Sequence, residues 1–310
     1  MSQIKIENIE KSFGEKKVVK DISFEVNKGE ILGILGPNGA GKTTTIRMIM
    51  GINAPDKGNI YFNLNGKQTE VPKNKIAYLP EERGLYKESR VMDILKFLAS
   101  LKLVDKNKAE EKALKWLEKF DLADKKNSKI EELSKGMAQK IQFIASIIHE
   151  PDLVVLDEPF SGLDPVSQDL FKEEIQSLAK RGTAVLLSSH RLNMVEEICD
   201  RIFLINQGKK VLYDSLEQIK NKYGNYRVKI KSKQAVDKLE SLTAAPEQVA
   251  DYFQKENTWH LILKEQVKAS QFLTTILAKA PVESLNISRI SLHDIFVKVA
   301  KGGFDNENDL

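Results

Sequence analysis

Apolar and polar residues alternate at Ile4, Ile6 and Ile9 and again from Val18 to Val26. An unbroken run follows, Ile31-Leu32-Gly33-Ile34-Leu35, and then Asn59 to Phe62. A period of two predicts half-buried strands, and the short unbroken run predicts a strand covered on both faces. The opening stretch therefore reads as antiparallel strands around one buried strand. From about Arg90 to His149 the period becomes helical: Ala113, Leu117 and Phe120 fall on one face with Trp116 beside them as a core residue. Ile141, Ile144, Ala145 and Ile148 mark a second such face. Strands and helices then take turns: Leu153 to Leu156, a helix from about Val166 to Lys180, Ala184 to Leu187, a helix from Leu192 to Cys199, and Ile202 to Ile205. That order predicts an α/β domain whose parallel sheet is covered by helices.

Past Leu216 the pattern resets. The polar stretch Lys220-Asn221-Lys222-Tyr223-Gly224-Asn225 reads as a linker, dividing a first domain over 1–220 from a second over 221–302. In the second, strands are predicted at Tyr226 to Ile230, Val249 to Phe253, Trp259 to Leu263 and Val282 to Ile290, with helices near Ala235 to Leu242, Val267 to Ala280 and Leu292 to Ala300. Strand, helix, strand, strand, helix, strand is the α+β ferredoxin-like order, here with one more helix. The acidic, glycine-led stretch 303–310 reads as a frayed, flexible tail.

Composition narrows the class of protein. A chain of 310 residues, 41% of them apolar, buries a large core and a smaller one. Its net charge of +4 comes from 48 basic and 44 acidic residues spread along the chain, which gives no electrostatic footprint for nucleic acid. The one cysteine, Cys199, excludes internal disulfides, fits a reducing compartment and reads as a small buried apolar side chain. The N-terminus reads as a strand and not a signal peptide, and no apolar run approaches the ~18 residues that span a bilayer. Membrane contact must then come through a partner.

The first chemistry lies between the buried strand and a helix-like stretch from Thr44 to Met50. Gly36-Pro37-Asn38-Gly39-Ala40-Gly41-Lys42-Thr43 is a complete phosphate-binding loop. Its glycines let backbone N–H groups converge on phosphate oxygens, the helix start adds a positive dipole end, Lys42 reaches the outer phosphates, and Thr43 offers a hydroxyl to magnesium. The chain is thus read as binding a nucleoside triphosphate. Leu153 to Leu156 ends in Asp157 and Glu158, where open α/β sheets place ligands. Asp157 suits magnesium, and Glu158 suits orienting and deprotonating a water for attack on the γ-phosphate. Ser134, in Leu133-Ser134-Lys135-Gly136, precedes the helix from Met137 and reads as its cap. It is either a cap alone or, with the helix dipole, a second anion site.

Taken in order, these motifs resemble the nucleotide-binding subunit of an ATP-binding cassette (ABC) transporter. Besides the loop and the Asp157-Glu158 strand end, the resemblance rests on the signature Leu133-Ser134-Lys135-Gly136-Met137, the turn Ser161-Gly162-Leu163-Asp164, and His190 after the strand Ala184 to Leu187; it covers roughly 1–220. It implies a P-loop NTPase fold of the ABC type: a mixed sheet with an antiparallel β subdomain and a helical subdomain at about 88–150. It also implies that Phe13 stacks on adenine, that Thr43, Glu81 and Asp157 hold Mg2+, that Glu158 is the general base and His190 contacts the γ-phosphate. The signature residues Ser134, Lys135, Gly136 and Met137 would complete ATP bound on the phosphate loop, through Thr44, of a second subunit, and Asp164 would link the two sites.

A dimer is implied, with an identical or related subunit, on the cytoplasmic face of the membrane, driving an integral-membrane permease through the segment Arg90 to His149. The stretch Tyr78 to Tyr86 and the ending Ile290 to Phe296 resemble a bacterial export subgroup that includes sodium-efflux and ABC-2-type ATPase subunits, so sodium or a drug-like molecule is the implied cargo. Two positions depart from the family pattern. Glu81 stands where glutamine is usual and brings negative charge toward phosphate unless magnesium or Arg83 offsets it. Lys135 replaces glycine and Met137 replaces glutamine; Lys135 either attracts the γ-phosphate or faces solvent. The alternatives to a transporter subunit are a soluble ABC ATPase and a nucleotide-dependent regulator.

Overall fold

The computed structural model describes residues 2–64, 67–69, 71–82, 84–223, 226–232, 238–264, 267–279, 281–289, 291–292 and 295–296. The chain divides into two compact units, Met1–Ser215 and Leu216–Leu310.

In the first unit, β1 (Ser2–Phe13), β2 (Lys16–Asn27), β4 (Lys57–Leu64) and β5 (Lys67–Thr69) form an antiparallel sheet in the order β2-β1-β4-β5. The second sheet is the one that carries the chemistry. It runs β10 (Lys209–Ser215), β9 (Arg201–Asn206), β3 (Ile31–Leu35), β8 (Ala184–Ser188), β7 (Leu153–Asp157) and β6 (Ile76–Leu79), parallel except for the β9–β10 hairpin at one edge. All five residues of β3, of β7 and of β8 are buried. That is the consequence of covering a parallel sheet on both faces, and it is why these strands carry unbroken apolar runs.

Helix α1 (Lys42–Ile49) follows the loop, then α2 (Val91–Leu101), α3 (Lys106–Lys119) and α4 (Lys135–Ile147) make up the helical region, and α5 (Pro165–Lys180) and α6 (Leu192–Ile198) return between strands. Three rings tie the helical region to α5: Phe143 and Phe171 lie 4.6 Å apart by centroid, and Phe120 meets Phe171 edge-on at 5.6 Å. All three are fully buried, so α4 cannot shift without moving α5.

The second unit contains α7 (Leu216–Tyr223), β11 (Tyr226–Ser232), α8 (Leu239–Leu242), β12 (Val249–Lys255), β13 (Thr258–Leu263), α9 (Ala269–Leu277) and β14 (Val282–Arg289). Its sheet runs β12-β13-β11-β14, antiparallel throughout. Val228, Ile230, Trp259, Leu261 and Leu263 point to one side and form a core with Leu239, Leu242, Phe272 and Ile276.

Several elements differ from the sequence reading. The polar stretch taken as a linker is helical as far as Tyr223, because Leu216 and the buried Ile219 give it an apolar side; Gly224 and Asn225 lie outside the described residues. β6 and β10 were not anticipated as strands, and α1 begins two residues earlier than Thr44. Trp116 is half-buried and not a core residue: it leans on Phe120 at 5.9 Å under the Lys119 ammonium. The first half of the helix expected at Ala235, the end of the one expected from Leu292, Ile290 and the stretch 303–310 lie outside the described residues, as does Arg83.

Candidate functional site

The phosphate loop leaves β3 at Gly36 under tight constraint. A Cβ there would sit 2.2 Å from the Ile205 carbonyl oxygen on β9, so only glycine lets the two backbones pass. Gly41 caps α1 at φ 109°, a conformation glycine alone adopts without strain. The chain then enters α1 with its first amide groups unpaired and its dipole's positive end at the loop.

Lys42 is 9% exposed, and its Nζ donates to the Gly36 carbonyl at 2.7 Å and the Pro37 carbonyl at 3.2 Å. Burial holds its pKa below the ordinary lysine value, while Glu158, Asp157 and Glu81 pull the other way. A cleft of about 350 Å³ opens beside it, lined by Asn38, Gly39 and Gly41 to Thr44 on one side and by Glu81, Asp157, Glu158 and His190 on the other.

The acidic side is built by the ends of neighbouring strands. Asp157 closes β7 and is 2% exposed; burial raises its pKa, and Glu81 and Glu158 raise it further. Glu158 takes a left-handed conformation at φ 50°, unusual for a residue with a side chain, and its N–H donates to the Ser188 carbonyl at 2.9 Å. That turn ends β7. Oε1 of Glu158 accepts from the His190 backbone N–H at 2.7 Å and lies 2.8 Å from His190 Nδ1, while Ser189 Oγ donates to Oε2 at 3.3 Å. The Glu158 side chain is 9% exposed and held from β8's end at both oxygens, whereas the His190 side chain is 66% exposed.

The remaining sequence candidates do not reach this cleft. Ser134 caps α4, its Oγ accepting from the Met137 N–H at 3.2 Å; Ser134 and Lys135 are exposed, and Gly136 and Met137 partly so. Asp164 caps α5, accepting from the Ser167 N–H at 3.0 Å and the Ser167 hydroxyl at 2.6 Å, bonds that hold its pKa below the ordinary aspartate value. Phe13 ends β1 with 53% of its surface exposed, 5.8 Å from the Lys11 ammonium.

A Bacillus subtilis (strain 168) protein named "Uncharacterized ABC transporter ATP-binding protein YhaQ" is 39% identical over 293 residues, 94% of this chain and 97% of its own length. This chain belongs to the ABC transporter ATP-binding proteins. The ABC transporter family model matches residues 19–161, and the model for the DrrA1-3-like ATP-binding protein C-terminal domain matches residues 215–300. The linearmycin resistance ATP-binding protein LnrL of the same organism is 32% identical over 94% of both chains. A solved structure described as an ATP-binding subunit of an ABC transporter superposes with a TM-score of 0.67 at 29% identity, covering 72% of this chain and 93% of that one.

The donor set of the cleft suits a hard divalent ion. Thr43, Glu81 and Asp157 offer only oxygen, and three carboxylates line the cleft against one lysine. Among the described residues no group of three or more His, Cys, Asp and Glu could hold a metal unaided. Magnesium needs no such cage, since it keeps water and phosphate oxygens and takes one or two carboxylates.

Sequence reasoning missed Ser188 and Ser189, which supply the backbone carbonyl and the hydroxyl that fix Glu158. The one signal was a Ser-Ser-His triplet ending an apolar strand.

Proposed function

We propose that this chain is the ATP-hydrolysing subunit of a membrane exporter, closing as a dimer around Mg-ATP to drive a separate permease from the cytoplasmic face. The observation that carries this reading is the buried Glu158, held at both oxygens beside the phosphate loop. Loop amides and Lys42 bind and orient the triphosphate. Glu158 then aligns a water with the γ-phosphorus and takes its proton as the new P–O bond forms and the bond to the β-phosphate oxygen breaks, leaving ADP and phosphate. His190 keeps the carboxylate in place and, being exposed, is free to turn its ring toward the γ-phosphate. Thr43, Asp157 and Glu81 would hold Mg2+, which neutralises phosphate charge when bound.

The exposed Ser134-Lys135-Gly136-Met137 turn supports the dimer, because an exposed helix N-terminus away from its own cleft is free to cap the nucleotide of a partner. No described helix is long and apolar enough to cross a membrane, so transport requires a permease. An apolar groove of about 280 Å³ beside α2 and α4, lined by Met50, Leu85, Leu98 and Leu101, supports docking of that permease on the helical region. The resistance named for LnrL supports export of a drug-like cargo, with sodium as the other candidate.

Glu158→Gln keeps the shape and removes the base. Hydrolysis should fall about 10²–10⁴-fold while ATP binding persists, and light scattering in ATP should show a trapped dimer. A monomer under saturating ATP would refute the shared-site scheme.

A further inference from the structure

The parallel sheet has a second hollow at its other end. β7 and β8 carry Asp157 and Ser188 to the nucleotide cleft at their C-terminal ends. Just before their N-terminal ends, Asp152 and Thr183 border a separate cavity of about 440 Å³. That volume lies within the ~300–1,000 Å³ of small-molecule sites.

Part of the lining is apolar. Ile147, the last residue of α4, and Leu178 of α5 are both buried, and the half-buried indole of Trp116 on α3 stands beside them. Lys119 lies over the same ring at 5.5 Å but is tied to Glu174, so it stays outside the lining. The charged part of the lining is lopsided. Glu150 is paired with Lys112 at 3.0 Å and Asp152 with Lys75 at 3.8 Å, and neither lysine belongs to the lining. The two cations that do belong to it, Lys28 and Arg181, have no carboxylate partner among the described residues; Arg181 Nη1 donates to the Ser177 hydroxyl at 2.8 Å.

Those cations come together because their turns pack. Gly182 follows the end of α5 at φ 97°, and a Cβ there would sit 3.0 Å from Lys28 Cε. Glycine at 182 therefore serves the left-handed turn and also lets the lysine stem cross it beside Arg181.

We propose that this cavity binds a small planar aromatic anion, its ring against the Trp116 indole and its carboxylate or sulfonate between Lys28 and Arg181. The indole and the buried aliphatic residues supply most of the affinity, through stacking and burial. Lys28 and Arg181 are exposed, so their charge sets selectivity and orientation more than strength.

The test is calorimetry on the full chain without nucleotide, using three probes that share one ring system: the anion 2-naphthoate, the neutral 2-naphthylmethanol and the cation 2-naphthylmethylammonium. The anion should bind about three- to tenfold more tightly than the alcohol, with the cation weakest. Replacing both cations, Lys28→Gln with Arg181→Gln, should erase that preference and leave the alcohol's affinity as it was; Lys28→Arg should preserve it. Trp116→Leu should weaken all three probes, and Trp116→Phe, which keeps a ring, should retain most of the binding. Lys42→Ala should change nothing, because the nucleotide cleft is a different site. Equal affinity for the three probes, or binding indifferent to Trp116→Leu, would overturn the proposal. So would loss of binding in Lys42→Ala, which would seat the probe in the nucleotide cleft, or competition by inorganic phosphate as strong as by 2-naphthoate, which would leave a simple anion site with no part for the ring.

Discussion

Two helix N-termini proposed as anion sites sit in the first unit, and only one of them is walled in. The phosphate loop and the Ser134 turn each deliver a helix N-terminus, uncapped by any side chain at Gly41 and capped by the Ser134 hydroxyl in the other. Around the loop, Lys42, Asp157 and Glu158 are all less than 10% exposed and hold each other's charge in check. Ser134 and Lys135 face solvent, and the Ser134 hydroxyl is spent on its own helix. A site complete within one chain is preorganised and pays desolvation on folding. A site left open gains its ligand only when another surface brings it, so under the proposed dimer the same helix geometry would yield a binding pocket in one place and half of an interface in the other.

Breaking the enclosed site should have the larger effect. Lys42→Ala removes charge-assisted contacts to the outer phosphates and leaves three carboxylates facing the ligand without their lysine. The loss expected is about 1.5–3 kcal/mol or more, roughly ten- to a hundredfold in Kd. Calorimetry on the monomer checks this, and an unchanged affinity would remove the loop from the argument.

Ser134→Ala attacks the open site and should separate two quantities that Lys42→Ala affects together. Monomer ATP affinity should stay as it is. Stability should fall by about 1 kcal/mol for the lost cap, and ATP turnover by about fivefold for one neutral hydrogen bond missing across the dimer. Melting curves and turnover measured on the same preparation test it; a weakened monomer affinity would place Ser134 in its own chain's cleft.

The enclosed site was the more legible of the two, for a physical reason. Close backbone passage at Gly36 and the left-handed cap at Gly41 allow almost no residue but glycine, so the constraint is written in the chain. The unbroken apolar runs of β3 and β7 likewise follow from burial on both faces. What was not legible depends on partners distant in sequence. Nothing local marks Glu158 as left-handed or Ser189 as its hydrogen-bond donor; both follow from β8 lying beside β7. Helix α7 reads as a linker because its apolar side is only two residues wide, and Trp116 was assigned to the core because helical spacing gives a face but not how deeply its margin is covered.

Glu81 offers the finest test of the contrast, since it is the exposed margin of the enclosed site and stands where the resemblance to the family implies glutamine. It is among the charges that push the Asp157 pKa up, after burial itself. A folded-state pKa above the unfolded one means the native chain binds that proton more tightly. The associated stability is present in acid and is lost as pH rises through the aspartate range, leaving a penalty at neutral pH. Glu81→Gln removes part of that penalty without disturbing a buried side chain. In the absence of nucleotide and magnesium, its Tm at pH 7 should rise by on the order of 1 °C, modest because Glu81 is solvated. The gain should shrink as pH is lowered from 7 into the aspartate range, because the raised pKa of Asp157 favours its uptake of a proton there. Magnesium and nucleotide should shrink it too, since the ion offsets the same repulsion. An equal gain at pH 7 and in the aspartate range would mean that Glu81 acts through packing and that the acidic wall of the cleft is not electrostatically coupled.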